Sequence, residues 1–374
     1  MIPTLALTGE VENPPIVREE CRVTIPIFDG HNDTILSLRQ TGRSFFESST
    51  QGHLDLPRAM QGGLAGGFFA IWVPDPDHNP IADPDAEPDV SAYTDFDRLP
   101  EQMSLSYAEH YALESLAQLR AFERESSGNV SIIRNVAGLR ANLANGTLAV
   151  ELHLEGAEPI DPSLDTLEAF YLAGIRSIGL TWSRRNAFAT GVPFQFPGAP
   201  DIGPGLTDAG KALVQQCNAL GILIDLSHLN EAGFWDVASL SAHPLVATHS
   251  GVHAISPTTR NLTDRQIDAI RDTGGIIGVN FHVGFLRSDG AVDAANTTVA
   301  SIADHVDYLA GRIGIDHIAL GSDFDGATMP GDLRDVAGLP LLISELANRG
   351  YDDQALRQIA TENWLRVFES TWAS

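Results

Sequence analysis

Short apolar runs rich in β-branched residues alternate with helix-length amphipathic stretches along nearly the whole chain. Eight runs read as buried strands: Thr24–Phe28, Gly67–Val73, Leu148–Leu154, Ser177–Thr181, Ile222–Leu226, Leu245–Thr248, Ile276–Asn280 and His317–Gly321. Helical spacing is found in Ser104–Glu125, Asp165–Ala173, Thr207–Leu220, Glu231–Leu240, Thr263–Thr273 and Ala300–Ile313, with Thr207 and Thr263 placed to cap their helices. Strand followed by helix, repeated, is the pattern of a parallel sheet with crossover helices. Eight such units favour a closed (β/α)8 TIM-type barrel over an open doubly wound sheet, and no glycine-rich dinucleotide fingerprint follows the first strand. Val336 to Trp372 reads as additional C-terminal helices, and the expectation is one barrel domain over residues 1–374 with 1–22 as an N-terminal extension.

The alternation breaks once. Residues 74–101 hold six prolines and nine acidic residues, too polar and too proline-rich for a core element. This stretch follows the second strand, so in a barrel it is a long loop at the C-terminal rim, either a solvated insertion or a lid or dimer arm.

Composition narrows the function classes. A hydrophobic fraction of 43% with 19% charged residues suits a globular chain of 374 residues with a large core. The net charge of −26 argues against nucleic-acid binding and against attraction to anionic membranes, and it favours cationic groups or metal ions. Cys21 and Cys217 are the only cysteines and do not form the framework of a small disulfide-stapled fold. Met1 to Glu20 lacks a basic leader, and no run approaches the length of a membrane span, so a cytoplasmic location is expected.

Candidate chemistry collects at the strand ends. The first strand runs into Asp29-Gly30-His31-Asn32-Asp33, where a period of two points His31 and Asp33 the same way. The third gives Glu151, His153 and Glu155 facing inward, with Glu155 nearest the rim. The fifth ends at Asp225-Leu226-Ser227-His228, the sixth at Thr248-His249-Ser250 and the eighth at Ser322-Asp323-Phe324-Asp325-Gly326. Barrel enzymes keep their reactive groups at this end of the strands. Two divalent ions side by side need a carboxylate between them to offset their repulsion and a shared water made acidic by both. Glu155 suits the bridge, His31 and Asp33 one ion, His228 and His249 the other, and Asp323 the transfer of the water's proton to a leaving amine. Imidazole-rich ligation suits zinc. His153, one layer deeper, reads equally as a partner of a ligand or as a buried structural histidine, and the other histidines remain unassigned.

These residues resemble the renal (membrane) dipeptidase family, binuclear zinc dipeptidases of the amidohydrolase group. The resemblance runs from Phe28 to about Gly326 and includes Arg260-Asn261-Leu262. It implies two zinc ions held by His31, Asp33, Glu155, His228 and His249, Asp323 as acid/base, and Arg260 on the substrate's C-terminal carboxylate. A homodimer and tolerance of a D-residue on the C-terminal side are also implied. Many amidohydrolases bridge their metals with a carboxylated lysine, but the sole lysine, Lys211, lies in a predicted helix, which supports Glu155 as the bridge.

One departure stands out. Where better-known members have a histidine after the fourth strand, this chain has Trp182, in Gly179-Leu180-Thr181-Trp182-Ser183-Arg184-Arg185-Asn186. Indole donates one hydrogen bond and carries no proton, so Trp182, Arg184 and Asn186 are all candidates for substrate contact, with Arg185 a further neighbour. The leading expectation is hydrolysis of a dipeptide by a metal-bridging hydroxide. The alternatives are a lactone, cyclic amide or phosphoester cleaved at the same site, or a metal-binding protein without turnover.

Overall fold

The computed structural model describes residues 25–76 and 89–372. The N-terminal extension, Cys21, His78 and the centre of the proline-rich insertion lie outside those residues. The strands are β1 (Ile27–Asn32), β2 (Leu64–Trp72), β3 (Val130–Ile132), β4 (Leu148–Glu155), β5 (Ser177–Gly179), β6 (Leu223–Asp225), β7 (Val246–Ser250), β8 (Ile276–Val279) and β9 (Ile318–Leu320). All pairings within the sheet are parallel, and the pairing of β2 with β4 closes eight strands into a barrel. β3 is an addition: it lies beside the first half of β4, and β5 takes over beside the second half. The chain therefore has the (β/α)8 barrel fold expected from its alternating pattern. No helix among the described residues is long and apolar enough to cross a membrane.

The helices start and stop where local chemistry dictates. The Thr207 side chain accepts from the Gly210 N–H and that of Asn230 from the Gly233 N–H, each filling an orphan donor of the first turn. Thr263 and Gln266 form a capping box. Helices at Thr34–Thr41, Leu56–Gly62 and Val136–Asn145 lie where the hydrophobic spacing gave no strong period.

β1 extends past its expected end at Phe28. Asp-Gly usually stops a strand, but here the Asp29 carboxylate accepts hydrogen bonds from the Ser322 N–H and Oγ (both 2.7 Å), so it is satisfied inside the ladder. Gly30 is required by space: a Cβ there would lie 2.3 Å from the Thr248 carbonyl oxygen and 2.9 Å from the Trp364 ring. The polar motif is therefore part of the barrel wall.

The N-terminal end of the barrel is closed by the last helix, Asn363–Thr371. Its Trp364 and Phe368 pack on Phe28 and Phe68 with ring centroids 4.9–6.3 Å apart, in one cluster with the small or branched residues that begin the other strands. Asn363 anchors this plug by donating to the carbonyls of Ile315 and Ile318. The opposite, C-terminal rim is left to polar residues.

The insertion is not wholly solvated. Tyr93, in its described part, is fully buried with its ring 4.7 Å from that of Trp182. One aromatic anchor has pulled a polar segment onto the rim.

Trp364→Ala leaves a void under the barrel and is expected to cost about 3–5 kcal/mol of stability in urea unfolding; a loss below about 1 kcal/mol would show that the plug is not integral.

Candidate metal centre

The rim brings six of the sequence-derived residues together. Glu155, the last residue of β4, presents Oε2 to His31 Nε2 at 3.4 Å and Oε1 to His228 Nε2 at 3.2 Å and His249 Nε2 at 3.7 Å. His31 Nε2 also lies 3.4 Å from Asp33 Oδ2. Two groups of donor atoms each fit within 4.8 Å: His31, Glu155 and His249, and His31, Asp33 and Asp323. His31 is shared by both groups, and its ring stacks on that of His249 at 3.8 Å. Asp33 stands at the cap position of the helix Thr34–Thr41, yet its side chain caps nothing and turns to the site.

Neighbours orient the ligands. Thr248 Oγ1 donates to Asp225 Oδ2 at 2.6 Å, so it is free only to accept from His249 Nδ1, 2.8 Å away. That leaves the Nε2 lone pair of His249 bare. Ser183 Oγ stands 2.8 Å from His228 Nδ1 and holds the ring from behind. His228 Nε2 and His249 Nε2 lie 3.1 Å apart, and neither nitrogen of the buried His31 has a hydrogen-bond partner. Imidazole and carboxylate donor atoms converge in a buried place, His31 among them without a hydrogen-bond partner, so the donor set fits a metal. His153 lies below, bonded to Ser177 Oγ at 2.7 Å and 3.7 Å from Asp225.

Backbone conformation contributes. His228 and Asp323 both have left-handed φ, 67° and 63°, rare outside glycine. At Asp323 the turn is held by its N–H donating to the His31 carbonyl and by the Gly326 N–H donating to its own carbonyl. Such conformations cluster where function requires a side chain to be aimed.

The charges are interlocked. Burial lowers the pKa of His31, but Glu155 and then Asp33 outweigh it and hold the imidazole well above its ordinary value. Burial, joined by the like charge of Glu155, pushes Asp33 up to about 8. Burial opposes ionisation of Glu155 too, yet His31 and His228 draw it well below the ordinary range. Burial and then Arg260 bring His228 down to about 4, while burial, His31 and Arg260 keep His249 well below its usual value. A metal-free site thus carries protons on His31 and Asp33 beside two neutral imidazoles, and an incoming ion must displace those protons.

A cavity of about 170 Å³ opens onto this cluster. Asp33, Glu155, His228 and Asp323 are among its polar lining residues, and Trp72, Trp182, Phe194 and Phe285 among its apolar ones. Trp182 is therefore in the wall. Arg260 is not among the cavity-lining residues; it is buried next to the ligand cluster, donating to the His249 carbonyl at 3.1 Å with its guanidinium 5.3 Å from the Phe285 ring, and burial lowers its pKa to about 10, so it stays charged. Arg184 and Asn186 do not reach the cavity. Arg184 binds Glu158 and the Val73 carbonyl, both at 2.8 Å, and Asn186 binds the Leu180 carbonyl and the N–H groups of Phe188 and Ala189. Both are occupied in holding the rim loops.

Two residues at the site were missed. Asn280 Nδ2 donates to Asp323 Oδ2 at 2.8 Å, and His282 lines the cavity. The signal was available: Asn280 closes a predicted strand at the same rim, and His282 follows at the spacing that joins His31 to Asp33.

With the geometry in place, comparison with known proteins is decisive. Residues 18–373 match the family model of membrane dipeptidases, peptidase family M19. The chain belongs to that family. It is similar to an uncharacterized protein in the pqqA 5′ region of Klebsiella pneumoniae, 49% identical over 259 residues, which cover 69% of this chain and 95% of that one. Dipeptidase verJ of Clonostachys rogersoniana is 30% identical over 352 residues, 92% of this chain and 84% of that one. A crystal structure of a metallo peptidase from Rhodobacter sphaeroides, liganded with a phosphinate mimic of the dipeptide L-Ala-D-Ala, aligns with a TM-score of 0.86 at 45% identity, covering 93% of this chain and all of that one. This member is accordingly a metal-dependent dipeptidase acting on a small peptide substrate.

The protonation pattern has a measurable sign. Above pH 7 the unfolded histidines have lost most of their protons, whereas folded metal-free protein still holds them on His31, on Asp33 and on Glu151, which burial raises to about 8. The folded state then binds more protons than the unfolded, so stability falls as pH rises. Chelated protein is expected to lose melting temperature between pH 7 and about 8.5, and metal-loaded protein to lose less; an equal fall in both would contradict the assignment.

Proposed function

We propose that the chain is a binuclear zinc dipeptidase, with Glu155 between the two ions, His31 and Asp33 on one and His228 and His249 on the other. The observation that supports this reading is the two-sided use of Glu155, whose oxygens face different imidazoles. Bound there, the ions supply Lewis acidity to the peptide carbonyl and to the attacking water.

The remaining work belongs to side chains. Asp323, steadied at Oδ2 by Asn280, takes a proton from the attacking water and returns it to the leaving amine nitrogen as the C–N bond breaks. Arg260 provides a fixed positive charge for the C-terminal carboxylate of the substrate. Trp182, wedged between Trp72, Tyr93 and Phe194, forms an apolar wall that excludes water and moves no proton. The L-Ala-D-Ala mimic bound by the Rhodobacter relative supports acceptance of L-Xaa-D-Xaa substrates. A homodimer follows the family expectation.

Release of free amino acids from an L-Xaa-D-Xaa and L-Xaa-L-Xaa library is expected from zinc-loaded protein, lost on chelation and regained with zinc. Absence of turnover at full metal occupancy would overturn the reading. Asp323→Asn is expected to lower kcat on the order of 10²–10⁴-fold with metal content unchanged. Arg260→Ala is expected to impair only substrates with a free carboxylate, and indifference to that group would favour a lactone, cyclic amide or phosphoester.

A further inference from the structure

His282 is the one imidazole in the cavity wall that stands apart from the ligand cluster. Its environment fixes what it can do. Nδ1 faces the backbone N–H of Thr328 at 3.2 Å, and an N–H can only donate, so Nδ1 carries the lone pair and the proton of the neutral ring sits on Nε2. The ring is neutral at working pH, because burial brings it down to about 4. Nε2–H is thus a donor at the cavity end of a ring pinned from behind. Its backbone is also fixed, the His282 N–H donating to Asn280 Oδ1 at 2.6 Å while the amide group of Asn280 holds Asp323.

The surroundings indicate the acceptor. The His282 ring lies 4.5 Å from the ring of Phe285, and the Arg260 guanidinium lies 5.3 Å from the same ring, so one aromatic side chain separates the two donors. Phe285 and His282 both line the cavity onto which Asp33, Glu155 and Asp323 open. An anionic substrate group drawn to the Arg260 charge is brought to the ring against which His282 also packs, so a charged and a neutral donor share one aromatic neighbour. Arg260 alone leaves carboxylate lone pairs unfilled in a buried place, and a second donor relieves that cost. Gly284 keeps the space open, since a Cβ there would meet His282 Nε2 at 2.9 Å.

We propose that His282 is a substrate-binding residue that donates from Nε2 to the C-terminal carboxylate of the dipeptide, alongside Arg260. This rests on the dipeptidase reading above. It places the specificity for a free C-terminus on two side chains, and it leaves Trp182 without a polar task.

The test uses full-length zinc-loaded protein, a dipeptide that the wild type cleaves, and the C-terminal amide of that dipeptide. His282→Phe is expected to raise KM for the free acid by about tenfold or more, the size of one lost hydrogen bond to a charged group, with kcat within about threefold. KM for the amide is expected to stay within about twofold of wild type. His282→Gln, which retains an N–H donor, is expected to recover part of the loss, and Gly284→Ala, which crowds Nε2, to raise KM for the acid in the same direction. Equal effects on acid and amide, an unchanged KM for the acid, or a fall confined to kcat would each overturn the proposal, the last by assigning His282 to the reacting carbonyl. Wild-type protein inactive on every dipeptide would overturn the dipeptidase reading itself. Wild type active and His282→Phe indistinguishable from it would overturn only the role of His282.

Discussion

Glu155 is a carboxylate taken almost wholly out of water, and its pairing with His31, His228 and His249 is the interaction on which the rim depends. A buried charge is unfavourable unless it is paired and bonded. The barrel answers by delivering partners from different strands to one point: His31 from β1, His228 from the turn after β6 and His249 from β7. Each partner is set by something behind it, His249 by Thr248 and Asp225, His228 by Ser183 and a left-handed backbone. The same convergence that stabilises Glu155 sets Asp33 beside a like charge and leaves the ring nitrogens of His31 without a hydrogen-bond partner, so the metal-free arrangement is frustrated in the way that cations relieve.

The two ends of the barrel divide the labour. At the N-terminal end Trp364 and Phe368 fill the interior with rings, and Gly30 gives up its side chain so that the indole can approach. Tight packing there lets the C-terminal end carry strained turns at His228 and Asp323 and a cluster of like charges.

Much of this was legible in the chain. Parallel strands buried on both faces read as continuous apolar runs, and all eight barrel strands were visible as such, as was the convergence of His31, Asp33, Glu155, His228, His249 and Asp323 at their ends. What escaped has physical reasons. β1 outran its Asp-Gly signal because Ser322, nearly three hundred positions away, satisfies Asp29. β3 stands outside the eight strand-and-helix units, paired only with the start of β4, so the repeat gave no place for it. Tyr93 was hidden in an acidic, proline-rich stretch whose composition says nothing of one anchoring ring. Arg184 and Asn186 sit beside Trp182 in sequence, but the directions of their side chains are decided by Glu158 and by carbonyls on other segments. Loop side chains obey their tertiary partners, and no local pattern encodes those.

The claim that Glu155 joins two metal sites is tested most directly by anomalous diffraction at the zinc edge from crystals of the loaded protein. Two peaks are expected, one beside His31 and Asp33 and one beside His228 and His249, with a Glu155 oxygen against each. A single peak, or two peaks without Glu155 between them, would contradict it.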